Sequence, residues 1–155
     1  MTAHRIEVVW ASGEPALAEA ALEEAVAAAL SEGGRAGLEI AITFVDDAAL
    51  AELHDAHLGD PRRTDVMAFD LGEDGVGPAG ELYVSVERAH AVAALRGVAF
   101  ERELTLYVVH GLLHLCGHDD HEDEERAHMR AAEARVMASL GFAPDDGVHE
   151  LGASD

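Results

Sequence analysis

The order of its apolar segments constrains the fold of this chain more than any other feature of the sequence. Short segments of alternating apolar residues all fall before residue 87, and two of the three longest helical segments follow them. The predicted strands span residues 4–10, 38–45, 66–70 and 81–86, and the predicted helices span 14–31, about 46–57, 87–96, 101–116 and 122–140. Because strands and helices do not alternate as regular βα repeats, the sequence predicts one α+β domain with a small mixed β-sheet packed with helices.

The ends of the chain and its composition set the domain boundary and the compartment. Residues 1–142 are predicted to form the domain, and the acidic residues 143–155 a flexible tail. In the last predicted strand, Leu82, Val84 and Val86 lie on one face. The sequence has no long apolar run, and its N-terminus lacks the features of a signal peptide. With only one cysteine, it is expected to be a cytoplasmic protein.

The charge of the chain is strongly negative. Its 31 acidic and 10 basic residues give a formal net charge of −21, and all of the basic residues are arginine. Tight non-specific binding to nucleic acid requires cations that displace counterions from phosphates. The composition therefore predicts weak binding to free RNA and no DNA partner.

A cluster of histidines and carboxylates on the predicted helix 101–116 indicates a metal site. His110 and His114 are four residues apart, so both imidazoles leave one face of the helix, one turn apart, and can reach one ion. Gly117 ends the helix, and the turn that follows can bring a third ligand from Asp120 or His121. Two helical histidines and one turn ligand leave an open coordination position, which is typical of a catalytic site.

Two positions near the histidines, Gly111 and Cys116, limit the kinds of reaction that the site is expected to catalyse. A metalloprotease of the H-E-x-x-H type carries its general base directly after the first histidine. This chain has Gly111 there, so a peptidase is not favoured. Cys116 lies two residues after His114, about 200° around the helix, and is interpreted as a small packing residue that faces away from the site.

Three segments together resemble the YbeY family of bacterial metal-dependent endoribonucleases. The run His110-Gly-Leu-Leu-His-Leu-Cys-Gly117, followed by a His/Asp turn and an acidic helix, resembles the family's signature. The segment 64–69 (TDVMAF) is similar to its T-D-V-L-S-F, and the segment 80–85 (GELYVS) is similar to its G-D-I-x-I-S strand. The resemblance covers residues 45 to 137 in the family's order and spacing.

The resemblance implies a small α+β protein with one divalent metal ion, most plausibly zinc. It implies a single-strand-specific endoribonuclease that acts in ribosomal RNA maturation, especially at the 3′ end of the small-subunit RNA, and in ribosome quality control. Ribosomal RNA is then the substrate. Ribosomal proteins or an assembly GTPase are the expected delivery partners, and no membrane partner is implied.

Two departures from the family pattern leave the site incomplete. The family's third ligand is usually a histidine ten residues after the first, where this chain has Asp120. A subset of the family carries Asp there, so Asp120 is favoured, with His121 as the alternative. His118 takes the family's usual Tyr position and is a candidate catalytic residue, with a loop or ligand-supporting residue as the other interpretation.

The second departure concerns a family arginine six residues before the Thr of T-D-V. This chain has Leu58 at that position, and the nearest cations are Arg62 and Arg63. Either is a candidate for contact with the scissile phosphate, and either can equally be an ordinary solvated residue. The candidates for the general base are His118, His121 and Asp65.

Two further functions remain open on the sequence. The absent arginine favours a non-catalytic ribosome-assembly factor whose metal is structural. The open three-ligand site favours an enzyme, which could instead be a metal-dependent hydrolase of another substrate.

Overall fold

The computed structural model describes residues 5–11, 13–35, 38–58, 66–71, 79–118 and 122–142. The strands are β1 (Arg5–Trp10), β2 (Glu39–Val45), β3 (Val66–Asp70) and β4 (Gly80–Ser85), and the helices are α1 (Glu19–Glu32), α2 (Asp47–Leu58), α3 (Val86–Arg96), α4 (Phe100–Leu115) and α5 (Asp123–Ser139). The predicted tail, 143–155, lies outside the described residues. None of the described helices is long and apolar enough to cross a membrane.

The four strands form one sheet in the order β1-β2-β4-β3. Strand β2 runs parallel to both β1 and β4, whereas β3 runs antiparallel to β4. Parallel neighbours need a crossover connection, and α1 supplies it between β1 and β2. The α+β class and the small mixed sheet predicted from the sequence are therefore confirmed.

Several element boundaries differ from the prediction, most of them by one residue, and two of the differences have a local structural cause. Helix α1 begins at Glu19, several residues later than predicted, because Ala18 has an extended backbone and the Ala-rich composition alone does not fix a helix start. Val86, predicted as the last strand residue, is the first residue of α3. The Ser85 hydroxyl accepts the Arg88 backbone N–H at 3.1 Å, so it caps α3 and ends the strand.

Helix α4 forms the centre of the larger core. It contacts α1, α3, α5, β3 and β4, and every residue from Glu103 to Leu113 is buried. Apolar residues of β2 and β4 belong to the same core, namely Ile40, Ile42, Phe44, Leu82 and Val84. A smaller cluster of Val45, Leu50 and Met67 joins α2 to the sheet. The candidate site therefore lies on a helix that its surroundings hold on several sides.

Glycines on both elements let the C-terminal half of α4 approach the sheet closely. A Cβ atom on Gly111 would lie 2.8 Å from Leu82 Cδ2 and 3.0 Å from Val66 Cγ2. A Cβ atom on Gly80 of β4 would lie 2.7 Å from Leu115 Cδ1. A side chain at either position would therefore require the facing leucine side chain to move or α4 to shift away from β3 and β4.

Candidate metal centre

His110 and His114 lie side by side on helix α4. Their ring centroids are 4.7 Å apart, and the ring planes are inclined by 82°. His110 is only 4% exposed, whereas His114 is partly exposed. The four-residue spacing thus brings two imidazoles together at the edge of the core, one inside it and one facing outward.

A buried carboxylate lies behind the inner histidine. Glu133 of α5 is 3% exposed, and its Oε2 forms a hydrogen bond with His110 Nδ1. This contact occupies one ring nitrogen of His110 and leaves Nε2 as the nitrogen that can bind an ion. Burying a carboxylate is costly unless it is paired, so the His110 contact is a main reason that Glu133 can lie in the core.

The sequence interpretation missed Glu133, because the segment after the His/Asp turn was interpreted only as an acidic helix. A signal was nevertheless present. The buried residues of α5 are Met129, Ala132, Glu133, Val136 and Met137, which recur at three- and four-residue intervals. A lone carboxylate within the apolar stripe of a polar helix is a candidate for a buried polar contact.

The end of α4 directs the chain from His114 toward α5. Gly117 has φ +99°, its N–H donates to the His114 carbonyl at 3.0 Å, and the His118 N–H donates to the Leu113 carbonyl at 3.0 Å. This is a Schellman motif, which stops the helix and turns the chain. Residues 119–121 then connect the helix that carries the two histidines to the helix that carries Glu133.

The two candidates for a third ligand belong to that connection. Asp120 and His121 both lie outside the described residues, as do Arg62, Arg63 and Asp65. Among the residues that the structure does describe, no group of three His, Cys, Asp or Glu side chains is arranged to hold a metal ion. Two adjacent imidazoles, one held by a carboxylate, nevertheless fit zinc and other late first-row divalent ions.

His118 lies on the α1 side of the site helix. Its charge and, more strongly, the hydrogen bond from Arg135 lower the pKa of Glu32 on α1. Arg135 Nη2 lies 2.7 Å from Glu32 Oε2. The structure therefore brings His110 and His114 together, and it places His118 near a different carboxylate.

Cys116 also contacts α1. A Cβ atom on Gly33 would lie 2.3 Å from Cys116 Sγ, so the thiol occupies the space beside that glycine. Burial raises the pKa of this thiol, and Arg35 opposes part of that change. A thiol with a raised pKa is a poor nucleophile at neutral pH, which agrees with its interpretation as a packing residue.

Arg130 lies on the same side of α5 as Glu133. Arg130 precedes Glu133 by three residues, so the two are neighbours on the helix surface. The buried Arg130 Nη1 has no hydrogen-bond partner among the residues that the structure describes. Arg135 lies about 140° around the helix from Arg130, on the flank that meets Glu32. The sequence interpretation did not single out Arg130.

Gly111 occupies the position at which an H-E-x-x-H protease carries its base. The direction of its absent side chain is toward Leu82 and Val66, in the interior between α4 and the sheet. The chain therefore has no carboxylate at this position, and α4 has no room for one without moving away from the sheet.

Comparison with known proteins identifies relatives of the whole domain. A profile of the endoribonuclease YbeY family matches residues 11–141. The protein named endoribonuclease YbeY from Desulfitobacterium hafniense is 40% identical over 114 residues, which cover 67% of this chain and 73% of that protein. The one from Geobacillus kaustophilus is 34% identical over 153 residues, which cover 92% and 90%. The solution structure of TM1509 from Thermotoga maritima has 25% identity and a TM-score of 0.56, over 94% of this chain and 99% of that one.

Proposed function

Since this chain belongs to the endoribonuclease YbeY family, we propose that it is a metal-dependent endoribonuclease that acts in ribosomal RNA maturation. The expected substrate is single-stranded ribosomal RNA, with the 3′ end of the small-subunit RNA as the region cleaved. The observation that supports this most directly is the pair of adjacent imidazoles, His110 and His114, backed by the buried Glu133.

His110 and His114 are proposed to hold one divalent ion, with zinc as the first choice and Asp120 or His121 as the third ligand. When bound, such an ion supplies Lewis-acid chemistry, which polarises a phosphate oxygen and lowers the pKa of water. The partial exposure of His114 supports this role, because a substrate can reach the site only from the exposed side.

The remaining roles concern phosphate contact and proton transfer. Cleavage of a phosphodiester passes through a state with additional negative charge on the phosphoryl oxygens, which a guanidinium can stabilise by bidentate hydrogen bonds. Arg62 and Arg63 are proposed for this contact. His118 is proposed as a proton acceptor, which requires its neutral imidazole to reach the substrate from its position near Glu32.

A second candidate function is supported by the charge of the chain. A protein with a net charge of −21 repels RNA over most of its surface, and the family's arginine position is Leu58. Both features suit an assembly factor that binds a ribosomal protein or an assembly GTPase and keeps the metal for structure. In that case the metal should contribute to the free energy of unfolding, and cleavage should be undetectable in the parent protein.

Replacing His114 by alanine separates the two functions. His128→Ala on the exposed surface of α5 is the matched control, since it removes the same side chain away from the site. We expect His114→Ala to lower cleavage of single-stranded RNA at least about 100-fold and to leave the protein folded, with a thermal midpoint near that of the metal-free parent. His128→Ala should match the parent protein in both measurements.

Three results would count against the enzymatic proposal. One is cleavage by His114→Ala within about twofold of the parent, since a lost metal ligand should cost far more. Another is a parent protein that shows no cleavage and a His114→Ala variant that unfolds, which would support the structural metal. The third is a metal analysis of the purified parent protein that finds far less than one bound ion per chain, because both functions assume a metal site.

A further inference from the structure

The contact between Glu133 and His110 joins two helices at the inner end of the candidate site. The residues are 23 positions apart in sequence, and both side chains are almost completely buried. His110 comes from α4, which the sheet holds in place, and Glu133 comes from α5, which packs on α4. The contact therefore depends on the tertiary arrangement of α4 and α5, and neither helix could form it alone.

The hydrogen bond to Glu133 determines which nitrogen of the His110 ring carries the proton. An ionised carboxylate only accepts hydrogen bonds, so it pairs with a ring nitrogen that carries a proton. A proton held on Nδ1 makes Nε2 the nitrogen whose lone pair can bind a metal ion, and the fixed hydrogen bond also limits rotation of the ring. In a free histidine, by contrast, the neutral ring prefers the proton on Nε2, which is the wrong tautomer for metal binding through that atom.

The structure assigns Glu133 as a positioning residue that acts on a metal ion through His110. By holding the proton on Nδ1, it presents Nε2 beside the His114 ring for binding a divalent ion. This inference rests on the proposed metal site and does not depend on RNA being the substrate. It also explains why a carboxylate lies in the apolar stripe of α5, where a leucine would be expected from burial alone.

A purely structural role of Glu133 predicts different experimental results. If Glu133 served only to join α4 to α5, its replacement would lower the free energy of unfolding but leave the affinity of the folded protein for metal unchanged. The informative measurements are therefore the His110 tautomer and the metal affinity, each made on the folded full chain.

The first measurement needs no variant. In metal-free, ¹⁵N-labelled parent protein, long-range ¹H–¹⁵N spectra report which ring nitrogen of each histidine carries the proton. The His110 signals are assigned as those lost in His110→Ala. For the neutral ring, we expect a protonated Nδ1 and an unprotonated Nε2 on His110. A proton mainly on Nε2 would overturn the inference.

The second measurement compares Glu133→Gln with Glu124→Gln. Both changes remove one negative charge and keep the side-chain shape, but Glu124 is exposed on the first turn of α5. We expect Glu133→Gln to weaken Zn²⁺ binding, measured by competition with a chromophoric chelator, by about 10–100-fold. Glu124→Gln should bind Zn²⁺ like the parent. Parent-like affinity in folded Glu133→Gln would overturn the inference.

The two proposals fail in different ways. Weaker Zn²⁺ binding by Glu133→Gln in a protein that cleaves no RNA would support the positioning role and count against the nuclease. RNA cleavage by a parent protein whose Zn²⁺ affinity does not respond to Glu133→Gln would do the opposite. If Glu133→Gln fails to fold, the His110 tautomer measured in the parent protein is the test of the positioning role.

Discussion

Replacing Gly111 by alanine tests how closely helix α4 must approach the sheet in order to hold its two histidines. The residue lies directly after His110, and its missing Cβ points at two side chains of the strands. That Cβ would be 2.8 Å from Leu82 Cδ2 and 3.0 Å from Val66 Cγ2. The change adds one methyl group, so the expected effect is a balance between helix propensity and steric overlap.

The two contributions oppose each other. In a helix interior, alanine is more favourable than glycine by about 1 kcal/mol. Overpacking of a well-filled core costs about 1–3 kcal/mol. Leu82 is completely buried and Val66 is stiff at χ1, so neither can move aside easily. We therefore expect Gly111→Ala to lower the free energy of unfolding by about 1 kcal/mol, or the thermal midpoint by about 2–4 °C at this chain length.

Urea unfolding of the metal-free protein measures this effect, and a second background identifies its source. Leu82→Val removes the nearer contact, because valine has no Cδ atoms. In that background Gly111→Ala should cost less by about 1 kcal/mol, since residues in direct contact are not additive. The reasoning would be refuted by a gain in stability from Gly111→Ala alone, or by an equal cost in both backgrounds.

Two further substitutions probe arginines of α5. Arg130→Met should leave the free energy of urea unfolding unchanged or raise it by up to about 1 kcal/mol, since the buried Nη1 has no partner among the described residues. A decrease in the free energy of unfolding would instead indicate that Arg130 has a stabilising partner. Arg135→Met should lower the free energy of unfolding only slightly at neutral pH, because an exposed ion pair contributes little to stability. Arg135 lowers the pKa of Glu32 from its ordinary 4.5, so this cost should fade as the pH falls below that value, and a pH-independent cost would contradict the assignment.

The helix that carries the site could be predicted from sequence because its pattern is local. The prediction of 101–116 agrees with Phe100–Leu115 in the structure, and a four-residue spacing fixes which side chains share a face. Strand β3 was predicted with the bounds that it has, Val66–Asp70. These features depend on periodicity within a few turns or residues, which the sequence carries directly.

Glu133 could not be assigned in this way, because its role depends on how α5 lies against α4. The apolar stripe of α5 distinguishes Glu133 from the other carboxylates of that helix as a buried residue. Its partner His110, however, is 23 residues away, and no pattern within α5 identifies it. Similarly, Gly111 could be interpreted from sequence only as a missing base. Its positive contribution, close contact between α4 and strands β3 and β4, depends on the register in which the helix crosses the sheet.

The distribution of arginines bears on how RNA could reach this site. Several described arginines are already engaged by carboxylates, namely Arg96 and Arg102 with Glu103, Arg126 with Asp123, and Arg135 with Glu32. These pairs supply little positive potential to a protein whose net charge is −21. If the chain binds RNA, attraction of phosphate must then come from a few groups, with Arg62, Arg63 and the metal ion as the proposed ones. The electrostatic part of RNA affinity grows with the number of phosphates that cationic groups contact. A protein with few such contacts is therefore expected to bind free RNA weakly. A substrate held in place by a partner protein would need no such capture, and the acidic surface would then limit cleavage to RNA that a partner presents.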